Sequence, residues 1–270
     1  DEEVATMPMS TTKIANSERQ FAQAIHCQSF VKLPHSQQVV LQVKDGSMHF
    51  GQRLLWQDVN FSILSGEFVA LLGANGTGKT TLLRSLLKLV PLSSGSITLG
   101  KDIRVGYVPQ LKDFAPKLPI RGRDLVQLGL DGENYLFGLF SPKKTLGGFW
   151  QTAKQKKYLV DKAIAEVGGE SFCDAPLTML SGGEQQRMRI AQALVAEPDV
   201  LLMDEPLLSL DVASQYVVSD ILAHRKQAHH TAILMISHEL EPIIPLIDKV
   251  LRLENATAKL GGVDLINRFR

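Results

Sequence analysis

GANGTGKT, residues 73–80, stands directly after the apolar run FVALLG (68–73) and directly before TTLLRSLLKLV (80–90), a helical segment. It satisfies G-x-x-x-x-G-K-[ST] at every position, and a strand-to-helix setting is what that pattern requires. Backbone N–H groups of a tight turn must face phosphate oxygens while the helix start adds its partial positive charge. Gly73, Gly76 and Gly78 permit the turn. Ala74, Asn75 and Thr77 complete the cradle, Lys79 is placed to reach β- and γ-phosphates, and Thr80, followed by Thr81, is placed to bind Mg²⁺.

On either side of this loop the chain alternates strand-like and helical patterns. VVLQVKD (39–45) and NFSILSGEFVALLG (60–73) suggest a strand followed by a hairpin, and SITLG (96–100) and IRVGYVP (103–109) are also β-like. Between 111 and 179 the pattern turns helical, in LPIRGRDLVQLGL and QTAKQKKYLVDKAIAEVGG, around a glycine- and aromatic-rich loop at 131–150. DVLLMDEP (199–206), TAILMIS (231–237) and KVLRLE (249–254) then alternate with helical patterns at 184–196 and 212–228. The expected class is therefore α/β: a parallel sheet wrapped by helices, with a helical insert in the middle. Residues 1–38 are polar and are expected to form a poorly ordered extension. The folded domain is placed at 39–255, its insert at about 111–185, and a short tail at 256–270.

Composition narrows the function classes. The 270 residues carry a net charge of +1, so no broad field draws the chain to nucleic acid or to an anionic membrane. The sequence has no run of the roughly 18 to 20 apolar residues that a spanning helix needs, and DEEVATMPMSTTK does not read as a signal peptide. Cys27 and Cys173 share no metal-like spacing, which fits a reduced compartment.

Three further segments point at the same chemistry. VLLMDEP (200–206) sets Asp204 and Glu205 at the carboxyl end of a strand, the edge where open α/β sheets bind ligands. Asp204 suits a Mg²⁺ carboxylate, direct or through a bound water, and Glu205 a group that orients or deprotonates a water attacking the γ-phosphate. ISHEL (236–240) brings His238 to that edge as a candidate γ-phosphate contact. LSGGEQQR (180–187) fits a capping box, Ser181 with Glu184, yet holds two glycines where a helix start favours almost anything else.

Together these segments resemble the nucleotide-binding subunit of an ATP-binding-cassette (ABC) transporter, over about residues 40 to 254. The resemblance implies a P-loop cassette with a RecA-like parallel-sheet core, an N-terminal antiparallel β-subdomain and a helical insert. It implies that Phe50 in HFGQR stacks on adenine and that Gln110 in GYVPQ contacts Mg²⁺ and the attacking water. Asp211 in LLSLD resembles the acid of an inter-subunit loop and His238 a switch histidine. Ser181, Gly182 and Gly183 resemble the signature that covers ATP held by a second copy, the glycines leaving clearance for the phosphate. Glu184 stands where the family most often has glutamine, and its carboxylate is expected to fold back into the cap, away from ATP.

The implied cofactors are ATP and Mg²⁺. The implied partners are a second copy in a head-to-tail dimer, a membrane permease and an extracytoplasmic substrate-binding protein, with no nucleic acid, at the cytoplasmic face of the plasma membrane. RVGYVPQ, LPIRGRDLVQLG and SHELEPIIPLIDKVLRLEN are most similar to ATPases of zinc and manganese uptake. Iron-chelate importers come next, and a soluble ABC ATPase stands as the rival class. Phe114, Leu118, Ile120, Phe137, Leu139 and Phe140 are candidates either for a groove that receives a permease helix or for the core of the insert.

Overall fold

The computed structural model describes residues 38–110, 120–130 and 153–266. The N-terminal extension up to residue 37, the loop at 131–150 and the groove candidates other than Ile120 lie outside them. Ile120 packs against the larger of two hydrophobic cores, which favours the insert-core reading for that residue.

Strand β1 (Val39–Phe50) pairs antiparallel with β2 (Arg53–Leu64) and, on its other side, with β4 (Ser94–Leu99). The hairpin therefore lies at 39–64 and not within 60–73, because β2 and the next strand, β3 (Phe68–Gly73), belong to different sheets. All six residues of β3 are buried. Such a run suits a strand covered on both faces better than one arm of a surface hairpin.

The second sheet runs β5 (Val105–Val108), β6 (Val200–Asp204), β7 (Ala232–Ile236), β3 and β8 (Lys249–Glu254) in parallel order. A further strand, β9 (Thr257–Gly261), pairs antiparallel with β8, so the segment read as a tail extends the sheet. Strand residues alternate between the two cores, as side chains of period two must. Phe68, Ala70, Leu201, Met203, Ile233 and Met235 share one core with α2 (Gly122–Leu128), α3 (Ala153–Glu166), α4 (Gly182–Leu194) and α5 (Val212–His229). Val69, Leu71, Leu202 and Leu234 share the other with α1 (Lys79–Leu86) and with Trp56 and Ile63 of the three-stranded sheet.

This is the expected α/β architecture, a parallel core with an antiparallel β-subdomain and a helical insert. Arg123 knits the insert together: it donates to Asp174 at 2.9 Å, lies 3.3 Å from the buried free thiol of Cys173 and pairs with Asp161 of α3. Parallel strands end on one edge, so the loop after β3, Gln110 after β5, Asp204 and Glu205 at the end of β6, and His238 after β7 all converge there. Among the described residues no helix is long and apolar enough to cross a membrane.

Candidate active site

The phosphate loop is closed upon itself. Lys79 opens α1 with its side chain buried, and its Nζ donates to the carbonyls of Gly73 at 2.7 Å and Ala74 at 3.1 Å. Thr77 Oγ1 donates to Ala74 O at 2.9 Å. Burial lowers the Lys79 ammonium from its ordinary value, and the charges of Glu205 and Asp204 oppose that drop. The cation and the two acids therefore share one electrostatic neighbourhood, although 125 residues separate Lys79 from Asp204. Gly78 has φ +91°, and a methyl group there would stand 3.0 Å from the indole Nε1 of buried Trp56. Both backbone and space thus demand glycine at this turn.

Asp204, 2% exposed, is the last residue of β6. Glu205 leaves the strand with φ +49°, held by its N–H donating to Ile236 O of β7 at 3.0 Å. A non-glycine residue in the left-handed region costs on the order of 1 kcal/mol and persists where its surroundings fix it. From there its carboxylate accepts a hydrogen bond from Gln110 Nε2 at 2.8 Å and lies 3.4 Å from His238 Nε2. The fold thus brings together Gln110, Glu205 and His238 from three strand ends. Because Gln110 gives its amide N–H to Glu205, its carbonyl oxygen is the atom left to offer a cation or a water.

A cleft of about 220 Å³ beside the loop is lined by Arg53, Leu54, Asn75, Gly76, Thr77 and Glu254, among others. Phe50 is 72% exposed at the β1–β2 tip and is not part of that lining. Its cross-strand partner Arg53 is, and Arg53 Nη2 donates to Gly76 O at 3.2 Å. Arg53 gave no sequence signal beyond its place in HFGQR; only the hairpin register carries it to the loop.

At the start of α4 the capping box is formed as expected. Ser181 N–H donates to Glu184 Oε2 at 2.8 Å, and Glu184 N–H donates to Ser181 Oγ at 3.3 Å. The Ser181 hydroxyl also donates to Glu184 Oε2 at 3.0 Å, so to reach a phosphate it must leave that carboxylate. These bonds, the backbone one first, hold the Glu184 carboxyl below its ordinary value.

The two glycines differ. A methyl group on Gly182 would meet nothing within 4 Å, whereas one on Gly183 would collide with Ser214 Oγ and stand 3.0 Å from Ser214 Cβ. The space over Gly182 is therefore open, while Gly183 is a packing requirement within the chain. Ser214 is fixed by Asp211, which caps α5 by accepting from Ser214 N–H at 2.9 Å and Ser214 Oγ at 2.7 Å. Those bonds lower the Asp211 carboxyl from its ordinary value. Asp211 is engaged inside its own chain, and through Ser214 it supports the signature turn.

A phosphate loop, an acid pair and a glycine-marked helix start on one framework agree with the family model described as ABC transporter, which matches residues 56–208. The chain belongs to the ABC transporter family. Its curated relatives include the zinc import ATP-binding protein ZnuC of Halorhodospira halophila, 32% identical over 223 residues, or 83% of this chain and 77% of that protein. Among solved structures, an inward-facing metal-chelate-type ABC transporter is 26% identical with a TM-score of 0.71, covering 85% of each chain. A dimeric ATP-binding cassette in a post-hydrolysis state with ADP and Pi shares the fold, with a TM-score of 0.65 at 21% identity over 83% of this chain and 98% of that one. This ABC cassette is accordingly a nucleotide-binding ATPase, the ATP-hydrolysing subunit of a transporter.

Proposed function

We propose that two copies of this ABC ATPase close around two MgATP molecules and drive zinc or manganese import through a membrane permease. The observation that carries the hydrolytic part is the convergence of Gln110, Glu205 and His238 at the strand edge that also holds Lys79. In this reading the loop from Gly73 to Thr81 cradles the phosphates. Lys79 exchanges its carbonyl partners for phosphate oxygens, which are stronger acceptors because they are charged. Glu205 orients the attacking water and takes its proton, and His238 contacts the γ-phosphate from the neighbouring strand end.

Mg²⁺ would be held by the Thr80 hydroxyl, the Asp204 carboxylate and the Gln110 carbonyl oxygen, a donor set of hard oxygens that fits it. Bound there it would neutralise charge developing on the β- and γ-phosphates. Phe50 would stack on adenine, and its exposure leaves the ring face open to do so. Ser181 and Gly182 stand exposed at a helix start, and the space over Gly182 is open, which supports a site completed by a second copy. Asp211 would meet that copy at the same junction.

The zinc assignment rests on the ZnuC relatives. The metal-chelate-type neighbour supports a chelate importer as a second reading. The permease would anchor the chain peripherally at the cytoplasmic face, with an extracytoplasmic binding protein delivering substrate. Co-expression with a candidate permease, followed by uptake of radiolabelled zinc, manganese or a ferric chelate, separates these readings. Uptake of zinc or manganese that Glu205→Gln abolishes is expected. Uptake of the chelate alone, or no co-purified permease, contradicts the proposal.

A further inference from the structure

The end of α5 opposite the signature carries a second cluster. His224 and His229 lie in its last turns, and Glu166 is the final residue of α3. Ligand atoms of all three lie within 4.8 Å of one another, and the imidazole centroids stand 5.7 Å apart, edge to face. His230, the neighbour that sequence alone would pair with His229, turns away. It takes φ +51° at the helix end, and its carbonyl accepts from Ser65 Oγ.

Glu166 is itself almost buried against Arg225. Oε2 accepts from Arg225 Nη2 at 2.7 Å, and Oε1 faces Arg225 Nε as an ion pair yet makes no hydrogen bond. A carboxylate offers about four lone-pair positions, so one arginine leaves acceptor capacity toward the histidines.

We propose that Glu166, His224 and His229 form a binding site for a divalent transition metal of the Zn²⁺ class, with a fourth position left to water. Two imidazoles and a carboxylate are a zinc donor set, whereas Mg²⁺ and Ca²⁺ take oxygen ligands alone. Tetrahedral bonds of about 2.1 Å need donors about 3.4 Å apart, a closure that the two exposed histidines reach by side-chain rotation. An 18-residue helix is about 27 Å long, so this site lies far from the Ser214 contact at the start of α5. Occupancy would fasten the helical insert, through α3, to the parallel core, through α5. In a zinc importer that would let accumulated metal act back on the ATPase. This last step rests on the transport reading; metal binding does not.

The test uses the full, nucleotide-free chain with Co²⁺ as a spectroscopic probe and Zn²⁺ as competitor. Wild type is expected to bind Co²⁺ with the intense visible absorption of a four-coordinate site, to lose that absorption to Zn²⁺, and to melt at higher temperature with Zn²⁺ present. His224→Ala/His229→Ala alters two exposed side chains and is expected to melt like wild type without metal. It should lose the absorption, the Zn²⁺-induced rise in melting temperature and at least about 100-fold in Zn²⁺ affinity. Unchanged absorption and affinity in the double variant, or no four-coordinate absorption in wild type, would overturn the site. Either result leaves the transport reading standing, since that is judged by uptake.

Discussion

Gln110 Nε2 donates to Glu205 Oε2 at 2.8 Å across 95 residues of sequence, joining the ends of β5 and β6. The bond fixes a carboxylate whose backbone is already held at φ +49°, and in the proposed mechanism that carboxylate activates the attacking water. Loss of a general base typically lowers a rate by about 10²- to 10⁴-fold, or roughly 3 to 5 kcal/mol of barrier. Glu205→Gln is therefore expected to bind ATP with near-normal affinity while turnover falls by that factor. Near-normal turnover in a phosphate-release assay would remove Glu205 from the role.

Lys79→Ala separates binding from chemistry. The Lys79 ammonium bridges two loop carbonyls in this structure and is the buried cation of the edge. Its removal is expected to weaken ATP binding itself by at least about 10-fold, since charge-assisted hydrogen bonds are worth roughly 1.5 to 3 kcal/mol each. Equilibrium titration with a fluorescent ATP analogue reads this directly.

The two signature glycines are expected to fail differently. Gly183→Ala drives a methyl group into Ser214, and overpacking of that kind typically costs about 1 to 3 kcal/mol. It should lower the urea midpoint. Gly182→Ala meets nothing and should leave the midpoint unchanged while lowering ATP turnover. Equal midpoints for both variants would contradict the Ser214 contact.

Glu184 carries a pH signature of definite sign. Its folded-state carboxyl is depressed below the ordinary value of 4.5, so its contribution to stability is present above that value and is lost as pH falls through the depressed one. The carboxylate is well solvated, so the effect is small. Stability of wild type minus that of Glu184→Gln is expected to be positive at pH 7 and to shrink as pH falls through the depressed value. ATP turnover of the variant should match wild type, because the carboxylate serves the cap; a several-fold rise would show that it reaches ATP.

Much of this was legible because local chemistry dictates it. The phosphate loop, the strand ending in Asp204 and Glu205, and the capping box each declare themselves within eight residues. Four features were not legible, and three of them depend on long-range placement. Gly183 owes its identity to Ser214, 31 residues on. Arg53 reaches the loop only through hairpin register. The hairpin itself was misplaced because an apolar run such as FVALLG does not reveal which sheet receives it. The pairing of His224, rather than His230, with His229 depended on the turn at the end of α5.

In the proposed dimer, ATP is held between the loop of one copy and the signature of another. The most direct measurement is the solution mass of Glu205→Gln with saturating MgATP, a variant expected to hydrolyse too slowly to clear the bound state. A species of two chains is predicted, reverting to one chain without nucleotide or when Gly182→Asp is added. A single-chain mass at full ATP occupancy would contradict the account.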